Sequence, residues 1–109
     1  MSINRAKEYL KSFSEKNISK LYSLFSKNII LRDWNANNKG IENVIKQNKI
    51  LFNKSKIIKI KTLKIFKYKK TVVAELLVSI DKSKPLFVVD VIDFDKNNKI
   101  KFIRAYIGN

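Results

Sequence analysis

From its first residues the chain repeats apolar side chains at helical spacing. Ile3, Ala6, Tyr9, Leu10 and Phe13 share one stripe, which predicts an amphipathic helix over 3–14. Asn17 can accept hydrogen bonds from the first turn of a second helix. Ile18, Leu21, Tyr22 and Phe25 would form that helix's inner face. "NIILRDWN" (28–35) is short and β-branched at its start, so it reads as a strand, with a loop following over 35–40. A third helix is expected over 41–53, with Ile41, Val44, Ile45, Asn48, Leu51 and Phe52 facing in.

Beyond Phe52 the period drops to two. "SKIIKIKTLKIFKY" (55–68) sets Ile58 and Ile60 against Lys59 and Lys61, then slips phase near Thr62, where Leu63 and Ile65 are apolar instead. A slip of one residue predicts a bulge or a sharp bend. Further strands are expected at 71–80, 86–94 and 99–107, joined by turns at Lys69-Lys70, 81–85 and 95–99. Helices followed by a meander predict an α+β fold: one domain over 1–109, its helices packed on one side of a curved, mostly antiparallel sheet. The strand at 86–94 is apolar on both faces, with Val88, Asp90, Ile92 and Phe94 on one side and Phe87, Val89 and Val91 on the other. Three helices cover only one face, so a homodimer through the other is expected.

Composition narrows the chemistry. The chain has neither cysteine nor histidine, which excludes a thiolate site, a Ser-His-Asp triad and a histidine base. The net charge of +15 invites a nucleic-acid reading. However, 21 of the 24 basic residues are lysines, and they are spread along the chain. Base and phosphate recognition favours the arginine fork. Lys, Asn and Ile make up 49 of 109 residues, and all three have A/T-rich codons. The expectation is therefore no nucleic acid, with a positive field that favours anionic over cationic small molecules. No apolar run approaches the length of a membrane span, and the first residues lack the apolar core of a secretory leader. A cytoplasmic protein without membrane attachment is expected.

One residue breaks the strand pattern. Asp90 stands in the middle of Phe87-Val88-Val89-Asp90-Val91-Ile92, and an aspartate is disfavoured in a strand. Burying its unpaired carboxylate is costly. Either it is tied to a backbone N–H or a lysine, or burial raises its pKa and it serves as a neutral hydrogen-bond donor in an apolar pocket. Asp93 points to the opposite face, as does Arg104, which alternates with Ile103 and Ala105.

The arrangement resembles the nuclear transport factor 2-like, or SnoaL-like, superfamily of cystatin-like α+β cones, with ketosteroid isomerase as the nearest pattern. "DVIDFDKNNKIKFIRAYI" is similar to that family's aspartate-bearing strand, turn and final strand. "NISKLYSLFSKNIILRD" and the first-helix segment "KEYLKSF" are similar to two further stretches. The resemblance implies three helices on the concave face of the sheet and a polar trio. Tyr9 and Asp90 would hold an oxyanion, and Asp33 would be the proton-transfer base. Phe13, Trp34, Ile92, Ile103, Ala105 and Ile107 would form either a wall around a small hydrophobic ligand, an anionic one being favoured by the positive field, or ordinary core, and no metal or organic cofactor is required. Asp33 is followed by Trp34 where the family usually has proline, and the loop after it is shorter. Non-catalytic ligand binding and protein interaction are the alternative roles within the same superfamily.

Overall fold

Among the described residues, 2–108 of a computed structural model, the elements follow in the order α1 (Ser2–Ser14), α2 (Ile18–Leu24), β1 (Phe25–Arg32), β2 (Asn37–Lys39), α3 (Ile41–Lys54), β3 (Ile58–Tyr68), β4 (Thr71–Ile80), β5 (Leu86–Phe94) and β6 (Ile100–Gly108). The strands form one open, curved sheet in the order β2-β1-β6-β5-β4-β3. All neighbours are antiparallel except β1 and β6, which run parallel. The helices pack on one face.

The local signals act as expected at most element ends. Lys16 takes a left-handed backbone (φ 57) and turns the chain out of α1. The Asn17 side chain then accepts from the Lys20 N–H at 3.1 Å and caps α2. Helix α2 has only seven residues and runs directly into β1 at Phe25. Phe25 is buried, but as the first residue of the strand rather than on the helix. Tyr22 departs from the expected inner face: it is half-exposed and donates to the Glu42 carboxylate at 3.1 Å. Two helical turns leave room for few inward positions, which Leu21 and Leu24 fill, and Tyr22 lies one residue, about 100°, around from Leu21.

The segment expected to be a loop over 35–40 contains β2, whose residues 37–39 pair with Ile30, Leu31 and Arg32. An edge strand held by backbone bonds needs no apolar alternation, so its polar sequence conceals it. Gly40 (φ 87) follows, in a conformation that disfavours any side chain, and donates to the Ile29 carbonyl at 2.8 Å as α3 begins. The phase slip in β3 is a bulge between Thr62 and Lys64 in the ladder with β4.

Leu21, Leu24, Ile29, Val44, Val72, Leu76, Ile92, Phe94, Ile100 and Ile103 are sealed between helices and sheet. On the outer face Phe66, Tyr68, Phe87 and Tyr106 are exposed. There Arg104 donates to Asp93 at 2.8 Å, Thr71 donates to the same carboxylate at 2.6 Å, and both Arg32 and Arg104 lie against the Phe102 ring. Among the described residues no helix is long and apolar enough to cross a membrane.

Candidate active site

Strand alternation sets Val88, Asp90, Ile92 and Phe94 toward the helices, and all four are buried. Asp90 pairs laterally with Ala74 on β4 and with Ala105 on β6. Ala74 is packed in the core, but Ala105 borders a hollow above the sheet, and Asp90 sits in it with 7% of its surface exposed. The parallel register aligns Leu31 with Ile103 and Arg32 with Arg104. Asp33 follows directly on the end of β1 and lines the same cavity as Asp90.

Tyr9 enters from α1. Its ring packs 6.0 Å from both Phe13 and Phe25, and Phe13 in turn makes an edge contact with Phe52 of α3 at 5.1 Å. These aromatic contacts fix the phenol at the wall of a cavity of about 500 Å³. Tyr9, Asp33 and Asp90 all line it. So do Phe13, Trp34, Ile103 and Ala105 from the expected wall. Ile92 and Ile107 do not. Ile92 is fully buried between Val72 and Ile103 on the neighbouring strands, which makes it core. Ile107 stands near the end of β6 and is 42% exposed. Alternation assigned both to the correct face, but it carries no information about position along the strand.

The electrostatics follow from burial. Desolvation, aided by the negative charge of Asp33, pushes the Asp90 carboxyl up to about 7. Burial raises the Tyr9 phenol well above its ordinary value, with Asp90 and then Asp33 adding to the rise. Neither the Tyr9 hydroxyl nor the Asp90 carboxyl is hydrogen-bonded to another described residue, and both open on the cavity. Asp33 is partly committed: its Oδ1 accepts from the Asn35 N–H at 2.7 Å, and its own N–H donates to Ala36 at 2.9 Å. On the outer face burial alone would raise Asp93, but the hydrogen bonds from Arg104 and Thr71 outweigh it and hold the group below the usual carboxylate range. Arg104 is thus engaged on the outer face, away from the cavity, as alternation predicts.

The cavity also holds polar residues that pattern reading did not assign to it: Asn38 of β2 and Gln47, Asn48 and Lys54 of α3. Asn48 was detectable as a polar residue on an apolar helical stripe. Asn38 was not, because its facing depends on the pairing of β2 with β1.

An acid–phenol pair that donates into an apolar hollow, with a second carboxylate within reach, is suited to stabilising negative charge on an oxygen while a proton moves. No known family model matches the sequence, and no curated protein matches it. Solved structures do. A SnoaL-like protein of unknown function from Burkholderia thailandensis superposes with a TM-score of 0.88 at 8% identity, over 99% of this chain and 94% of that one. An epoxide hydrolase from M. tuberculosis gives 0.87 at 12%, over 98% and 82%. A protein from Kribbella flavida, provisionally assigned as a ketosteroid isomerase, gives 0.87 at 6%, over 99% and 78%. Identities this low speak for the fold alone, and the chain has the nuclear transport factor 2-like, or SnoaL-like, fold.

Proposed function

We propose that this chain is ketosteroid-isomerase-like: it binds a hydrophobic carbonyl compound and moves a proton at the carbon next to the carbonyl. Asp33 takes the α proton, and the electron pair moves to the carbonyl oxygen. Neutral Asp90 and Tyr9 donate hydrogen bonds to that oxyanion. Asp33, now protonated, returns the proton at the γ carbon as the carbonyl re-forms. Atoms and charge balance within these three side chains and the substrate. The observation that carries this reading is an unpaired acid and an unpaired phenol opening on one cavity that Asp33 also lines.

The test is turnover of a β,γ-unsaturated ketone, together with binding of phenols that mimic the enolate. Asp33→Asn should lose turnover by at least a hundredfold while still binding phenol. Asp90→Leu or Tyr9→Phe should weaken phenol binding. Phenol binding without wild-type turnover on any enolisable ketone assigns the chain to a second reading, non-catalytic ligand binding. The Asx turn that engages one oxygen of Asp33 favours that reading. A protein-interaction role with a vestigial pocket is less supported, because the cavity is not filled by side chains.

We further propose that the protein is a homodimer through the outer face of the sheet, where Phe66, Tyr68, Phe87 and Tyr106 are exposed. Sedimentation should give twice the chain mass, and Phe66→Lys combined with Tyr106→Lys should give the monomer. A monomeric wild type at micromolar concentration refutes it.

A further inference from the structure

Six residues both line the cavity and are exposed, so they stand at its opening: Trp34, Asn35, Gln47, Ile50, Lys54 and Leu86. None of the six is acidic, and three are large apolar side chains. Those three come from separate elements: the loop after β1, helix α3 and the start of β5. Trp34 is 44% exposed, Ile50 41% and Leu86 39%. A lone exposed apolar residue is ordinary, but three that converge on one opening form a patch. The charge around them has one sign. Lys49 adjoins Ile50 on α3, and Lys46 and Lys54 lie about one turn to either side of it. Lys82 and Lys84 stand in the turn between Ile80 and Leu86, both of which line the cavity. All five lysines are exposed, and none forms an ion pair among the described residues. The acid of that turn, Asp81, is engaged by the Lys56 and Ile57 N–H groups. The cavity's own acids, Asp33 and Asp90, are not among its exposed residues.

We propose that this opening docks on an anionic lipid surface, with Trp34, Ile50 and Leu86 seated among the headgroups and the five lysines against their phosphates. Two features favour a lipid surface over a protein. Lysines carry mobile point charges, which suit the diffuse negative potential of a bilayer and need no fixed partner geometry. Tryptophan prefers the boundary between headgroups and acyl chains. Contact of this kind is interfacial and needs no spanning helix, so the lack of one among the described residues is no obstacle. A cavity opening there exchanges an apolar ligand with the bilayer without passing it through water. This inference goes beyond the proton-transfer reading and does not depend on it.

Trp34 is the chain's only tryptophan, so its fluorescence reports on the opening alone. Vesicles of equal parts phosphatidylcholine and phosphatidylglycerol should shift its emission to the blue, and acyl-chain-brominated lipids should quench it. Phosphatidylcholine vesicles should bind about tenfold more weakly or worse. Ile50→Ser with Leu86→Ser should remove most of the shift. Lys82→Glu with Lys84→Glu should weaken vesicle binding by about tenfold or more. Lys69→Glu with Lys96→Glu makes the same change in net charge in the turns at the opposite end of the sheet, and should weaken it by less than about threefold. Vesicle binding without a blue shift or quenching overturns the proposal, because net charge alone would then hold the protein. Equal losses from the two lysine pairs overturn it for the same reason. Equal binding to the neutral vesicles overturns the anionic assignment. A blue shift that grows with protein concentration in the absence of lipid assigns the opening to a second copy of the chain and overturns it. Ketone turnover is measured without vesicles, so each of these failures leaves the proton-transfer reading standing.

Discussion

Replacing Asp90 by asparagine removes one titratable proton from the cavity floor and almost no volume. In the folded wild type this carboxyl titrates at about 7, against an ordinary 3.8. Below pH 3.8 it is neutral in both the folded and unfolded chains and has no effect on the balance between them. Between 3.8 and 7 only the unfolded chain ionises, so unfolding releases a proton. Stability then falls by about 1.4 kcal/mol per pH unit. Over the whole window the loss is roughly 4 kcal/mol, and it stays constant at higher pH. Asparagine has no such term. The stability difference, Asp90→Asn minus wild type, should therefore be flat below about pH 4. It should climb by roughly 4 kcal/mol up to about pH 7 and level off beyond it. Urea unfolding at a series of pH values from 4 to 9 measures this directly. Asp93 is held below its ordinary range, and so is Asp81, first by backbone N–H groups; both lose their contributions on acidification. They do so in both proteins and cancel in the difference. Parallel pH curves for the two proteins, or an Asp90→Asn that is the less stable of the two at pH 8, would refute a buried, unpaired acid at this position.

The same titration should appear in catalysis. If Asp90 donates as a neutral acid, kcat/KM on a β,γ-unsaturated ketone should drop about tenfold per pH unit above roughly pH 7. Asp90→Asn, which donates at any pH, should flatten that limb, and an unchanged limb in the variant would assign it elsewhere. Ala105→Leu fills the hollow beside Asp90. It should reduce phenol affinity more than tenfold while urea stability holds or rises by about 1–2 kcal/mol from the added buried methylenes; retained binding would place the ligand elsewhere. Asn17→Ala removes the cap of α2 and should cost about 1 kcal/mol, or several degrees of melting temperature, with phenol binding unaffected.

Much of this molecule is legible in its side-chain periodicity. The stripe from Ile3 to Phe13, the bulge after Thr62 and the inward set Val88, Asp90, Ile92 and Phe94 all follow from spacing. So does the outward turn of Arg104, which bonds Asp93 away from the cavity. The exceptions have a common cause. Tyr22, β2, Ile92 and Ile107 depart from the pattern because their environment depends on a neighbouring element, or on how far along a strand a residue stands.

The sequence by itself determined which residues share a face, because a helix or strand period is a property of one chain segment. It also marked Asp90 as an anomaly, because a carboxylate amid apolar strand residues is unfavourable in any fold. Only the tertiary structure decided that Ala74 and Ala105 flank that carboxyl, that Asp33 lines the same cavity, and that Asn38 and Asn48 do so too. Those neighbours come from strands and helices far apart in sequence. Their alignment is set by backbone pairing and helix packing, which leave no periodic trace in the residues that they bring together.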